Sequence, residues 1–225
     1  MSIVFVTGAG ISAPSGIPTY RSEGSGWDNK RLEEISQYNR YGNHLDELWE
    51  FWNDLYVKVI GARPNAAHFA LSDLSKKYPT TVLTQNVDGL HLSSGLKKAV
   101  ELHGSMWLSK CMKCRHLGYT AEFVGDKRYC PECRSDRVRP DVTLFGEPLR
   151  REAREALKEA EKADCVVFVG TSGNVWPWAG LAETVRARGG RTVLLNDEEW
   201  GTFDEVVLGD VEEIVPEYVE RILND

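Results

Sequence analysis

The sequence of 225 residues lacks several features that would restrict its class. It has no run of about 20 consecutive apolar residues, which a membrane-spanning helix requires. No basic segment precedes the first apolar run at Ile3, so no signal peptide is predicted. Internal repeats and low-complexity tracts are absent as well. These absences favour a globular protein of the cytoplasm and argue against a membrane partner.

Cysteine is scarce, and four of the five cysteines form two Cys-x-x-Cys pairs, Cys111/Cys114 and Cys130/Cys133. Without a secretory signal, metal binding is favoured over disulfides. The spacing is typical of a tetrahedral four-cysteine zinc site, and four thiolates leave no open position, so we expect one structural Zn²⁺. A redox pair is the alternative. Cys165 lies in an apolar run and is expected in the core.

Charge is unevenly distributed along the chain. The formal net charge is -7, yet residues 109–140 contain eight basic and four acidic side chains, so this segment carries +4 and the remainder -11. One interpretation of a basic module is contact with nucleic acid or with an acidic partner. The alternative, a solvated rim that keeps a small zinc module soluble, is favoured because the remaining chain is strongly acidic.

Short apolar runs alternate with helical patterns, which predicts an α/β fold: a Rossmann-like parallel sheet with helices on both faces. A small domain, made of the zinc ribbon and a helical insertion, accompanies it. The predicted strands are Ile3–Thr7, Thr80–Thr84, 99–102, Cys165–Val169, 192–195 and Glu205–Leu208.

The domain boundaries follow from these patterns. The large part is expected at about 1–28, 78–105 and 141–225, the helical insertion at about 29–77 and the ribbon at about 106–140, all within a single catalytic domain. Asn43 is the predicted cap of a helix that ends near Gly61. A closing helix at about 211–224 is expected to cover an edge of the sheet.

A glycine-rich turn follows the first strand, with the order Gly8-Ala9-Gly10-Ile11-Ser12-Ala13. Such a turn lets a pyrophosphate approach the backbone at the start of a helix, so it predicts nucleotide binding. No acidic residue closes a second strand about 20 residues later, which disfavours a hydride-transferring dehydrogenase. Asn196 and Asp197, at the end of a later strand, offer polar groups for a ribose instead.

Several motifs together resemble the sirtuins, a family of NAD-dependent protein-lysine deacylases, on the branch with bacterial sirtuins and desuccinylases. The stretch from Gly8 to Arg21 is similar to the GAGxSxxSGIPxFR signature of that family. The motifs that follow, in order, are TQNVDGLH at 84–91, ELHGS at 101–105, the cysteine pairs, FGE at 145–147, GTS at 170–172 and Asn196.

The resemblance implies NAD as co-substrate, acylated lysine peptides as partners and a role for each motif residue. The implied catalytic residues are His103 and Asn86. The implied NAD-binding residues are Gly8, Ala9, Gly10, Ser12, Ile17, Pro18, Arg21, Gln85, Asn86, Asp88, Gly170, Thr171, Ser172, Asn196, Asp197 and Val211. The implied peptide-binding residues are Val142, Phe145, Gly146, Glu147, Asn174 and Val175.

In the mechanism of that family, the acyl oxygen attacks the nicotinamide ribose and expels nicotinamide. The histidine, here His103, then removes a proton from a ribose hydroxyl, as a group with a pKa of about 6.5 can do near neutral pH. The products are free lysine and O-acyl-ADP-ribose. The alternative is an NAD hydrolase or ADP-ribosyltransferase on the same scaffold. For His91, a structural role is expected.

One departure from the family bears on acyl specificity. Members that remove succinyl groups carry Tyr and Arg, three residues apart, as a clamp for the carboxylate. Trp52 and Leu55 occupy those positions here. Neither can neutralise a carboxylate, so a preference for acetyl over succinyl groups is predicted. These two side chains line an apolar acyl channel or simply pack in the core.

Overall fold

The computed structural model describes residues 2–19, 30–123 and 128–224, except for the side chains of residues 30 and 32. Arg21, an expected phosphate ligand, lies outside the described residues. The strands are β1 (Ile3–Thr7), β2 (Thr80–Thr84), β3 (Ala99–Glu101), β4 (Gly104–Cys111), β5 (Leu117–Tyr119), β6 (Val138–Val142), β7 (Cys165–Val169), β8 (Arg191–Asn196) and β9 (Glu205–Leu208).

Six of these strands form one parallel sheet in the order β3-β2-β1-β7-β8-β9. This confirms the predicted Rossmann-like architecture, and the predicted strands agree with the observed ones to within about a residue at each end. The chain leaves β1 for β2 on one side and later returns to β7 on the other. Successive strands are therefore added in opposite directions on the two sides of the β1–β7 pair. At such a switch point, ligands of parallel α/β sheets bind at the carboxyl ends of the strands.

The helices are α1 (Lys30–Ile35), α2 (Leu45–Gly61), α3 (Ala66–Lys77), α4 (Leu90–Ser93), α5 (Arg151–Ala160), α6 (Leu181–Ala187) and α7 (Val211–Asn224). Their packing follows the alternation of side chains along the strands. Phe5, Val167 and Val193 contact α3 and α7 on one face of the sheet. Val6, Phe168 and Leu194 contact α5 and α6 on the other.

Two predictions about helices are wrong. The N-cap position of α2 is held by His44, and no side chain caps this helix, because Asn43 belongs to a preceding 3₁₀ turn. The closing helix α7 lies on a face of the sheet beside α3, not over an edge. Its apolar residues, such as Val215 and Val219, recur at helical spacing and are buried on that face.

The remaining three strands form a small antiparallel sheet in the order β5-β4-β6, which carries the cysteine pairs. Sequence periodicity did not reveal these strands. Helix α2 packs against this sheet, and Trp49 Nε1 donates a hydrogen bond of 2.8 Å to the carbonyl oxygen of Val138. The insertion and the ribbon thus share one apolar core, as predicted for the small domain.

Within residues 2–19, 30–123 and 128–224, no helix combines the length and the apolar character that crossing a bilayer requires.

Candidate active site

The glycine turn lies where β1 and β7 end side by side. The amide of Gly8 donates to the Val169 carbonyl (3.0 Å) and that of Gly10 to the Gly170 carbonyl (2.9 Å). A Cβ at Gly10 would lie 2.7 Å from Gly170 Cα, and one at Gly8 would lie 2.6 Å from the Gly170 oxygen. The glycines therefore let two backbone turns touch, which places the GTS segment directly beside the first turn. A 3₁₀ helix, Ala9–Ser15, follows in place of an α-helix.

A polar cluster lies next to this turn. Asn86 Nδ2 donates to the carbonyl oxygen of Gly8 and to Ser12 Oγ, both at 3.0 Å. The Ser12 hydroxyl donates in turn to Asp88 Oδ2 (2.8 Å), and the other Asp88 oxygen accepts from the amide of Leu90 (2.8 Å). Burial raises the pKa of Asp88, although these hydrogen bonds oppose the shift. The motifs at 8–12 and 84–91 thus form one network.

Two buried histidines lie next to this network, on the side of β1 and Ser12. His91 Nε2 lies 2.8 Å from Thr7 Oγ1, at the end of β1, which agrees with the structural role expected for His91. The His68 ring is tilted against that of His91, with ring centroids 4.9 Å apart, and His68 Nδ1 lies 2.8 Å from Asn65 Oδ1. Burial lowers the pKa of His68 to about 4 and that of His91 to about 3, so both rings are neutral near pH 7.

His68 was missed by the sequence analysis, which assigned no role to it. The only sequence feature that could have revealed it is local. Asn65 caps α3 by accepting hydrogen bonds from the amides of Ala67 and His68. The side chain of His68, three residues later, in turn contacts the backbone N–H of Asn65. An Asn-x-x-His pair before an apolar helix is therefore a weak indication of a buried histidine.

His103 lies at the carboxyl edge of the sheet, between β3 and β4. Its Nδ1 lies 2.9 Å from the carbonyl oxygen of Gln85, which can only accept a hydrogen bond, so Nδ1 carries the proton. The other ring nitrogen, Nε2, is then unprotonated and able to act as a base. Burial lowers the pKa of His103, and the nearby charge of Arg150 lowers it further. The ring is therefore neutral at physiological pH.

The GTS turn follows β7. The Thr171 side chain is buried, and its hydroxyl has no hydrogen-bond partner within the described part of the chain. Such an unpaired group close to the glycine turn fits a ligand rich in oxygen atoms. Gln85, Thr171, Gly173 and Val175 line one small cavity with Phe168, Trp178, Ala179 and Trp200. The structure thereby joins residues from two of the sequence motifs, those at 84–91 and 170–172.

Other expected NAD ligands are spread around this edge. Asn196 is buried at the end of β8, and its Nδ2 donates to the Glu198 carbonyl (2.6 Å). Ser172 and Asp197 are exposed, whereas Val211 is buried as the first residue of α7. Ile17 is buried and Pro18 is half-buried beyond the 3₁₀ helix.

Trp200 was not found from the sequence. A Cβ at Gly173, which has a φ of +68°, would lie 2.4 Å from its indole ring. Gly173 is therefore needed both for its backbone conformation and for the ring that covers it.

The expected peptide-binding segments expose apolar side chains near this edge, Phe145 at 43% and Val175 at 40%. The turn 144–147 is closed by a hydrogen bond of 3.0 Å from the Glu147 amide to the Leu144 carbonyl, with φ +74° at Gly146. It is also bridged to Gln37 in the helical insertion. Val142 is buried, and Asn174 is exposed beside Val175.

The four paired cysteines converge at the tip of the small sheet. Their sulfur atoms all lie within 4.8 Å of one another. The Cys111–Cys133 and Cys114–Cys130 sulfur distances are 3.6 and 3.5 Å. Tetrahedral zinc with Zn–S bonds of about 2.3 Å requires sulfur separations of about 3.8 Å, so the four cysteines fit a Zn²⁺ ion. Cys165 is buried in β7, as predicted.

The basic side chains of the ribbon are partly neutralised. Lys110 contacts Asp141 and Glu147, Arg128 pairs with Asp46, and the buried Arg139 pairs with Glu147. The charge excess counted from the sequence therefore overstates the basic surface that the ribbon presents.

Trp52 and Leu55 are both buried in the core that α2 shares with the ribbon. Phe51 contacts Trp52 edge to face, with ring centroids 5.3 Å apart. Ile17 and Leu90, which flank the polar cluster, belong to the same core. Neither Trp52 nor Leu55 offers a positive charge that could neutralise a carboxylate.

Comparison with known proteins agrees with this geometry. The Sir2 family model matches residues 8–177. An NAD-dependent protein deacylase of Thermococcus kodakarensis is 42% identical over 229 residues, which cover 96% of this chain and 89% of that protein. A Sir2 homologue in complex with NAD has a TM-score of 0.90 at 32% identity, with coverage of 99% and 90%.

A Sir2 structure with a p53 peptide and NAD⁺ has a TM-score of 0.86 at 30% identity, with coverage of 99% and 94%. The sequence motifs, the fold and these relationships agree, and this chain belongs to the Sir2 family.

Proposed function

We propose that this protein is an NAD-dependent protein-lysine deacylase with a preference for acetyl groups. Its products are nicotinamide, O-acyl-ADP-ribose and the free lysine side chain. The observation that carries the proposal is the position of His103. Its Nδ1 is bound to the Gln85 carbonyl, its Nε2 is free to take a proton, and the ring lies at the same sheet edge as the glycine turn.

The residues around the crevice fit NAD. The glycine turn and the GTS turn meet beside the unpaired Thr171 hydroxyl, which suits the phosphates, and Arg21 is expected to join them. Asn86 and Asp88, held by Ser12, would border the nicotinamide end, and Asn196 the far ribose. When bound, NAD supplies a ribose carbon whose bond to nicotinamide breaks as the acyl oxygen attacks it.

The chain contributes a base and a rigid frame to this chemistry. His103 takes a proton at Nε2 from a ribose hydroxyl, and its neutral form is available because burial lowers its pKa. Asn86 is fixed by two hydrogen bonds from its amide nitrogen, so its amide oxygen is presented in a constant position. The zinc ribbon stabilises the small domain without touching the reacting atoms.

The substrate is an acylated lysine within an extended peptide. The exposed segments around Gly146 and Val175 offer backbone and apolar side chains for it, which favours binding with little reading of peptide sequence. The acyl preference rests on Trp52 and Leu55, which would leave a succinyl carboxylate without a cationic partner.

We further propose that the large sheet, the insertion and the ribbon act as one catalytic domain, because Ile17 and Leu90 share the core of the small domain. We propose that the enzyme acts in the cytoplasm.

The test is to incubate purified protein and NAD with matched acetyl-lysine, succinyl-lysine and unmodified peptides, and to quantify nicotinamide and O-acyl-ADP-ribose by mass spectrometry. We expect nicotinamide only with acylated peptide and in equal amount to O-acyl-ADP-ribose. The acetyl peptide should react at least about tenfold faster than the succinyl peptide, since an unpaired buried charge costs more than 1.4 kcal/mol.

The variant His103→Ala is the control for chemistry, and its rate should fall by about 10²–10⁴. Nicotinamide release without peptide, with free ADP-ribose as product, would instead indicate an NAD hydrolase. A succinyl rate equal to or above the acetyl rate would contradict the argument from Trp52 and Leu55.

A further inference from the structure

A buried arginine in the small sheet has no role in the chemistry described so far. The side chain of Arg139, in β6, is only 1% exposed. Its Nη1 donates to the Val142 carbonyl (2.7 Å), its Nη2 is paired with Glu147, and its guanidinium carbon lies 5.0 Å from the ring centroid of Tyr41. Burying a charged group is costly unless it is paired, so this arrangement needs a reason.

The partner of this arginine holds a turn together. One carboxylate oxygen of Glu147 contacts Arg139, and the other accepts a hydrogen bond of 3.0 Å from the amide of Leu144. The amide of Glu147 closes the same turn onto the Leu144 carbonyl. Lys110 lies 3.6 Å from the carboxylate as well. The Glu147 side chain is therefore occupied by contacts within the protein.

The same turn is fixed on its other side. The amide of Phe145 donates to the Ser36 carbonyl (3.1 Å), and the Phe145 carbonyl accepts from the amide of Tyr38 (2.9 Å). Among the described residues, these contacts leave the backbone N–H and C=O of Gly146 without hydrogen bonds. Gly146 is thus the point of the turn at which an extended substrate can pair.

The arginine connects this turn to the metal-binding module. Within the small sheet, Arg139 pairs with Lys110 and its neighbour Val138 pairs with Cys111, one of the four cysteines. The amide of Met112 also donates to the Arg137 carbonyl (2.8 Å). The order of contacts is thus the cysteine cluster, β4 and β6, Arg139, Glu147 and then the turn that exposes Gly146.

We propose that Arg139 and Glu147 are positioning residues through which the zinc ribbon holds the turn 144–147 in the shape that binds the acyl-peptide. This inference rests on the proposed function, because it names how the peptide segment of that site is fixed. Glu147 acts through the turn and not by contact with the substrate. The pair therefore affects peptide binding and leaves NAD binding unchanged.

The test compares R139M, E147M and the double variant R139M/E147M with the wild-type protein. Each single variant leaves one buried charge without its main partner and is expected to be less stable. The double variant removes both charges and should fold and retain zinc. If the pair only avoids an unpaired charge, the double variant regains wild-type kinetics.

If the pair positions the turn, the double variant shows a KM for acetyl-peptide about tenfold or more above the wild-type value, with the KM for NAD within about twofold. Hydrogen exchange at the amides of residues 144–147 should rise in the same variant, while zinc remains at one ion per chain. The control is R151M/E155M, which removes an exposed ion pair in α5. It should change neither the KM for acetyl-peptide nor the hydrogen exchange of residues 144–147.

Wild-type KM together with wild-type exchange in the folded double variant would overturn the inference. A wild-type protein that releases no nicotinamide with any peptide would instead contradict the proposed function. In that case the exchange measurement still decides whether the pair holds the turn, so the two failures are distinguishable.

Discussion

Strands β1 and β7 of the large sheet are buried along their whole length, whereas β5 in the small sheet has two exposed residues of three. The large sheet is covered by helices on both faces, and each strand there is bonded to neighbours of the same direction. The small sheet has one short exposed edge strand, a cysteine cluster and a row of ion pairs.

This difference teaches that the two regions obtain their stability from different sources. Apolar burial on both faces stabilises the large sheet. The small sheet buries β6 and much of β4 in the core that it shares with α2, and it depends in addition on a metal. Removing one source should therefore affect one region much more than the other.

The largest effect is expected from a zinc ligand. Cys130 is fully buried in the cluster, and Cys130→Ser leaves three thiolates for the metal. Because a structural zinc site contributes on the order of 10 kcal/mol to the fold of small modules, the variant should lose zinc and the ribbon should lose protection from hydrogen exchange. Deacylation should be abolished, while β1, β2 and β7 keep their slow exchange.

The matched control is Cys165→Ser, which changes a buried cysteine within the large sheet. It should lower the free energy of unfolding and leave the zinc content at one per chain. Equal loss of protection in both sheets after Cys130→Ser would mean that the two regions fold as one unit, and the comparison would be wrong.

A smaller effect, confined to the large sheet, is expected from Gly10→Ala. The new methyl group would lie 2.7 Å from Gly170 Cα and 2.9 Å from the Gly170 oxygen, and backbone atoms cannot move aside as a side chain can. Overpacking of this kind costs about 1–3 kcal/mol of unfolding free energy, and separating the two turns should also weaken NAD binding.

Denaturant unfolding and calorimetric NAD titration measure these two quantities. Gly61→Ala is the control, because a Cβ there meets nothing within 4 Å and the residue lies in the last turn of α2. If Gly10→Ala binds NAD as tightly as the wild type, the close approach of the two turns is not what the site requires.

The large sheet was predictable from the sequence because its strands are apolar on both faces and are separated by clear turns. The strands of the ribbon were not, since β4 mixes buried Ser105 and Met106 with half-buried Trp107 and has no regular alternation. The cysteine spacing predicted the cluster without predicting the sheet that carries it. The pattern of apolar residues thus predicts strands where apolar burial stabilises them, and it does not predict strands that are stabilised by a bound metal.

The site divides in the same way. Motifs identified His103, Asn86 and the glycine turn, because each of them lies in a short continuous segment that resembles a family motif. Contacts between residues of different elements were not visible: Arg139 to Glu147, His68 to His91, and Trp200 over Gly173. Each depends on how two parts of the chain pack, and a single sequence contains no signal for such pairs.

The third effect appears only in acid, and it again concerns the large sheet. His91 is buried beneath β1, and its pKa in the folded state is about 3, against about 6.5 in an unfolded chain. Below pH 6.5 the unfolded state therefore binds a proton that the folded state does not, so the free energy of unfolding falls as the pH decreases. The stabilisation from a neutral His91 is fully present above pH 6.5 and is lost progressively towards its folded pKa.

His91→Gln keeps a nitrogen near Thr7 and does not titrate. The unfolding free energy of the wild type minus that of the variant should decrease by about 1.4 kcal/mol per pH unit between pH 6 and pH 4. Glu101, whose pKa burial raises to about 7, acts in the opposite direction in this range, but it is common to both proteins and cancels in the difference. Urea unfolding at several pH values gives this slope directly. Parallel profiles for the two proteins would show that His91 accepts a proton without unfolding, and the acid sensitivity of the large sheet would have to come from other groups.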